Sequence, residues 1–185
     1  MDELRQRKTP RLQGYNYNRA GVYFITLCTK DQKCILSKIV GTGVPDCPQA
    51  PDEHVGTGVL DCPQIILSKY GAVAEKYLIQ MNDFYDHISI KKYVIMPNHI
   101  HILLSIKENG QSGTPVPTHE TQANSAYSQF VSTFKRFCNK EYGENIWQAR
   151  SYDHIIRNRE DYEEHLRYIS DNPFRWYYDD FYSNE

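Results

Sequence analysis

"MPNHIHILL" (residues 96–104) sets two histidines on either side of one isoleucine inside an otherwise apolar run. Side chains alternate across a strand, so His99 and His101 share one face while Ile100, Ile102 and Leu104 share the other. Pro97 separates this run from "SIKKYVIM" (89–96), and the two segments read as a pair of strands. The aliphatic face calls for a covering layer. The imidazole face has two readings: a grip for a metal ion or phosphate, or an ordinary wet sheet surface.

Working outward, "GVYFITLCT" (21–29) is rich in β-branched and aromatic residues and reads as a strand. "CILSKIV" (34–40) and "IILSK" (65–69) suit the two arms of a hairpin. "YGAVAEKYLIQMNDFYDH" (70–87) spaces Val73, Tyr77, Leu78 and Met81 as one face of a helix. "SAYSQFVSTFKRFCNKEYG" (125–143) does the same with Tyr127, Phe130, Val131, Phe134 and Cys138, and Gly143 ends it. "WQARSYDHIIR" (147–157) reads as a last strand. A final helix follows over 158–172, with Asn158 as N-cap, acids in its first turn and a Tyr162, Leu166, Ile169 stripe. Pro173 stops it, because the residue before a proline avoids the helical region. The order predicts an α+β domain, a central antiparallel sheet with helices packed on it.

At 185 residues the chain suits a single domain over 1–185 that buries a core without staples. No apolar run approaches membrane-spanning length, and residues 1–18 lack the apolar stretch of a signal peptide, so a cytoplasmic protein with no membrane partner is expected. Five cysteines, odd in number and without a CxxC pair, indicate neither a disulfide framework nor a zinc ribbon. Net charge is −2, so no global basic field announces nucleic acid. The distribution is uneven, however. Arg5, Arg7, Lys8, Arg11 and Arg19 make the N-terminal arm basic, with Tyr15 and Tyr17 interleaved, a pattern suited to phosphate contact and base stacking or to a plain solvated tail.

One oddity interrupts the hairpin. "GTGVPDCPQ" (41–49) recurs as "GTGVLDCPQ" (56–64), differing only at Pro45 versus Leu60. Two copies are too few for a solenoid. Residues 41–64 are expected to be a mobile insertion, and 108–124 a polar loop rich in Gly, Pro and Thr.

The chemistry-bearing residues converge from two segments. Tyr168 and Asn172 are four apart, so they lie one turn apart on one helical face. A carboxamide oxygen can complete a His99, His101, Asn172 ligand set, with the tyrosine oxygen aimed at whatever the ion holds. Tyrosine is a credible nucleophile in phosphoryl transfer, but it needs a Lewis acid to make the phosphorus electrophilic. As one of fifteen tyrosines, Tyr168 can equally be a packed aromatic beside its helix's apolar stripe.

"YVIMPNHIHILL" (93–104), "WQARSYDHIIR" (147–157) and "DYEEHLRYISDNP" (161–173), supported by "GVYFITLCT" and "LSKYGAVAEKY" (67–77), resemble the REP-associated tyrosine transposases, relatives of the single-tyrosine HUH transposases. The likeness spans most of residues 15–176 apart from the repeat. It implies a ferredoxin-like HUH endonuclease fold acting on single-stranded DNA beside a hairpin. By the resemblance, His99 and His101 are the HUH pair, Tyr168 is the nucleophile that forms a 5′-phosphotyrosine, and Asn172 is the polar ligand. The implied cofactor is Mg2+ or Mn2+; two imidazoles suit manganese better. Lys135 and Arg136 join the N-terminal arm as candidate phosphate contacts, and His154 reads as a sheet-lining histidine. Monomer and homodimer both remain open. The alternatives are a non-catalytic nucleic-acid hairpin-binding protein that keeps the fold, and a phosphodiesterase acting through water. Asn172 directly precedes Pro173, at the fraying end of its helix, so its side chain is expected to reach an ion only once DNA is bound.

Replacing residues 41–64 by a short turn should leave the fold and any DNA processing intact, which circular dichroism and a cleavage assay on the shortened chain would check.

Overall fold

The computed structural model describes residues 15–17, 19–41, 63–107, 125–179 and 181–182. The predicted insertion and polar loop, apart from the hairpin residues 41, 63 and 64, lie outside them, as do Arg5, Arg7, Lys8 and Arg11. Strand β5 (His99–Ile106) is buried almost throughout because it is flanked on both edges and covered on both faces. It pairs antiparallel with β4 (Ile88–Ile95) on one side and β1 (Gly21–Cys28) on the other, and β6 (Tyr152–Ile156) pairs antiparallel with β1. The order β4-β5-β1-β6, with α1 (Lys69–Phe84) between β1 and β4 and α2 (Ala126–Tyr142) between β5 and β6, is the βαββαβ ferredoxin-like arrangement. The short strands β2 (Ser37–Val40) and β3 (Gln64–Leu67) pair as a separate hairpin inserted after β1.

Alternation along the strands separates two cores. Tyr23, Ile25 and Leu27 of β1 and Ile100, Ile102, Leu104 and Ile106 of β5 meet Ala74, Leu78 and Met81 of α1 and Tyr127, Phe130, Phe134 and Cys138 of α2. The opposite face carries Val22 and Phe24 of β1, Leu103 of β5 and Val94 of β4 under α3 (Arg159–Asp171), which contributes Tyr162, Leu166 and Ile169. The molecule is therefore a helix pair, a sheet and a third helix, with the two histidines on the α3 side.

The helices begin where their caps dictate. Ser68 accepts hydrogen bonds from the amides of Tyr70 and Gly71, Ser125 from that of Ser128, and Asn158 from that of Asp161, each satisfying donors that a helix start leaves open. Gly143, at φ 75°, closes α2 in the left-handed conformation.

The end of α3 departs from the expectation that Pro173 stops the chain. Asn172 keeps helical angles (φ −56°, ψ −42°) despite the following proline, and residues Asn172–Tyr178 continue as a 3-10 turn. A proline at the first position of a helical turn sacrifices no hydrogen bond, and the turn carries Trp176 back into the α3-side core. Packing outweighs the local preference. Asn172 is accordingly not frayed but buried, which corrects the expectation of a loose helix end there.

Gly71 sits where α1 crosses the chain leading into β2: a Cβ there would lie 2.1 Å from the Leu36 carbonyl oxygen. Gly71→Ala should destabilise the fold by about 2 kcal/mol or more, since backbone cannot yield as a side chain does; urea unfolding of the variant measures this.

Candidate active site

His99 and His101 are 0% and 1% exposed, with their rings edge to face at 4.5 Å. Each is held through Nδ1. Asn98 donates its amide hydrogens to the carbonyls of Gln32 (3.2 Å) and Phe181 (2.6 Å), so its Oδ1 accepts from His99 Nδ1 at 2.9 Å. That bond places the His99 proton on Nδ1 and leaves the Nε2 lone pair exposed to the site. Thr26 lies directly across β1 from His101, and its Oγ1 is 2.9 Å from His101 Nδ1.

Burial pushes His99 down to about 3, opposed by the neighbouring Asn172 carboxamide. His101 falls well below its ordinary value through burial first, then through the adjacent His99 and His165. Both rings are therefore neutral at physiological pH, the form in which imidazole donates to metals.

Asn172 completes the group from α3's end. It is 1% exposed, and its Nδ2 donates to Asp179 Oδ2 at 3.3 Å. His99 Nε2, His101 Nε2 and Asn172 Oδ1 are all buried without a hydrogen-bond partner among the described residues. Buried acceptors without donors are costly, and three in one place call for a positive charge. The residues present thus fit a divalent cation. Two imidazole nitrogens and an amide oxygen suit a borderline ion such as Mn2+ better than Mg2+.

Tyr168 stands one turn before Asn172. Its ring centroid is 5.2 Å from that of His101 and 5.8 Å from that of Phe24, and the residue is 38% exposed. The phenol is thus on the rim of the histidine pair and open to solvent. His99, His101, Tyr168 and Asn172, chosen from the sequence, are brought together.

The remaining candidates lie elsewhere. Arg19 is exposed at the turn before β1. Lys135 donates to the carbonyls of Gln148, Ala149 and Arg150, and burial lowers its pKa to about 8. It clasps the segment before β6, the correction to its reading as a phosphate contact. Arg136 lies over the Phe137 ring on α2, on the far side of the sheet from the histidines. His154 does line the sheet, but it also pairs with Asp161 (3.0 Å) and stacks on His165 (centroids 4.7 Å).

Sequence reasoning missed Asn98, Thr26 and Asp179. Asn98 adjoins His99, and Thr26 is the one aliphatic hydroxyl inside an apolar strand; both signals were present. Asp179 becomes a neighbour only through the turn after α3.

No family model matches the chain. It is 27% identical over 191 residues to an uncharacterized protein of Haemophilus influenzae, covering 97% of this chain and 94% of that one. It is 29% identical over 86 residues to a REP-associated tyrosine transposase of Escherichia coli, covering 46% and 44%, and 32% identical over 82 residues to a putative one of Haemophilus influenzae, covering 44% and 47%. Among solved structures, a REP-associated tyrosine transposase bound to a REP hairpin matches with a TM-score of 0.54 at 19% identity, over 95% of this chain and 74% of that one. The fold is of the α+β type found in that transposase. The chain resembles the REP-associated tyrosine transposases in both sequence and architecture.

Below pH 6.5 an unfolded chain protonates its histidines, whereas folded His99 resists until about 3 and His101 is depressed as well. Stability contributed by these neutral rings is complete above pH 6.5 and is lost as pH falls toward 3. The melting temperature in metal-free buffer should drop across that window, and less steeply in a His99→Gln, His101→Gln protein.

Proposed function

We propose that the protein is a metal-dependent single-stranded DNA endonuclease and strand transferase, a transposase working through a 5′-phosphotyrosine. The observation that carries this reading is the meeting of three buried acceptors, unpartnered among the described residues, with a solvent-accessible tyrosine one helical turn before Asn172. A structural tyrosine has no need of such a floor.

In the proposed reaction Tyr168 Oη attacks the scissile phosphorus and the bond from phosphorus to the 3′ oxygen breaks; the phenol gives its proton to solvent, and the departing 3′ oxygen takes one from solvent. The products are a phosphotyrosyl enzyme on the 5′ side and a free 3′-hydroxyl. Attack by a 3′-hydroxyl on the phosphotyrosine reverses the step and joins strands, since one ester replaces another. A free phenol with a pKa near 10 is ionised only to about one part in a thousand at pH 7, so the reaction needs help at the phosphate. A divalent ion held by His99, His101 and Asn172 would supply Lewis-acid charge there. The Nδ1-anchored imidazoles keep their Nε2 atoms for a ligand, and α3 sets the Tyr168 ring 5.2 Å from that of His101. Lone pairs fixed in place before the substrate arrives require no reorganisation during the reaction.

The substrate proposed is single-stranded DNA with an adjoining hairpin, supported by the hairpin complex of the structural relative. The basic residues Arg5, Arg7, Lys8, Arg11 and Arg19 are proposed to meet its phosphates. No described helix is long and apolar enough to cross a membrane.

Labelled single-stranded hairpins from the flanks of the protein's own gene, incubated with Mn2+, should yield a denaturant-resistant complex. Tyr168→Phe should abolish it, and His99→Ala should reduce it by at least about a hundredfold, the scale of a lost metal ligand set. An adduct surviving Tyr168→Phe would overturn the nucleophile assignment. Tight hairpin binding without cleavage under any metal would instead establish the non-catalytic reading.

A further inference from the structure

Asp179 lies seven residues past Asn172, yet the 3-10 turn returns it to the histidine pair. Its carboxylate and one nitrogen of each of His99 and His101 all lie within 4.8 Å of one another. Its oxygens are held in place: Oδ1 accepts from the Phe181 amide at 2.8 Å, and Oδ2 accepts from Asn172 Nδ2 at 3.3 Å. The segment is fastened to the site in turn, because the Phe181 carbonyl accepts from Asn98 and its ring lies 4.8 Å from that of His99.

We propose that Asp179 is the fourth donor of the cation pocket and the one that brings a formal negative charge; this rests on the metal site of the preceding section. Two imidazoles and an amide form a neutral set, which leaves the whole charge of a divalent ion uncompensated in a buried place. Ligand charge count sets divalent affinity in oxygen-containing sites, so one carboxylate changes the pocket's standing. Asp179 also orients its neighbour. By accepting from Asn172 Nδ2 it turns Oδ1, the only part of that amide able to ligate, toward the imidazoles. The donors then come from β5, the end of α3 and the turn beyond it, so a bound ion staples that turn to the sheet.

The two effects separate by substitution. Asp179→Asn removes the charge but keeps a carbonyl able to accept from Asn172, whereas Asp179→Ala removes both. Mn2+ binding to the full chain without DNA, measured by isothermal titration and by the loss of the free-ion paramagnetic resonance signal, provides the readout. Asp179→Asn should weaken Mn2+ binding about tenfold or more, Asp179→Ala at least as much, and each should shrink the rise in melting temperature that Mn2+ gives the wild type. A His99→Ala, His101→Ala protein should not bind. If Asp179→Asn and Asp179→Ala bind like wild type while the double-histidine variant does not, Asp179 is no ligand and the histidine site stands. If the wild type itself fails to bind Mn2+, the metal site falls, and this inference with it.

Discussion

Thr26 lies opposite His101 where β1 pairs with β5, and that register decides which way both imidazoles of the site point. A strand slipped by one residue exchanges its faces, so a shift of β5 would send both imidazoles into the core of α1 and α2 and bring Ile100 and Ile102 under α3. The register is protected from both sides. The aliphatic face fills the larger core, and on the other face Thr26 Oγ1 and Asn98 Oδ1 each engage one imidazole Nδ1. Hydrophobic burial fixes the strand, and two hydrogen bonds then fix the rings upon it.

This arrangement stores polar cost where it can be used. Three acceptors buried without donors among the described residues cost stability, tolerated because the surrounding core is large. The same burial keeps the imidazoles unprotonated, and the low dielectric of a buried place strengthens their attraction for a cation. The site thus gives up stability to hold lone pairs ready, a pattern common where binding or chemistry occurs.

Much of the site could be read from the chain because its parts are local. His99 and His101 declare a shared face by a period of two, and Tyr168 and Asn172 by a spacing of four. The strands either side of Pro97, the cap at Asn158 and the apolar face of α2 follow from equally short-range rules, and the structure contains each of them. What escaped depends on tertiary return. Nothing local in "WYYDDFY" says that Asp179 comes back to the histidines, because its place follows from a 3-10 turn whose Trp176 is buried in the α3-side core. Lys135 misled for a related reason: a cation on a helix looks free until the carbonyls of Gln148, Ala149 and Arg150 arrive from the following loop.

The tyrosine and the asparagine ride on one helix, whereas the histidines belong to the sheet. Four residues of α-helix span about 6 Å of nearly rigid rod. Any tilt or lift of α3 therefore carries the phenol and the amide oxygen away from the imidazoles together. Seating of this one helix acts as a single mechanical key, bringing the tyrosine and the asparagine up to the histidine pair in one movement of the backbone.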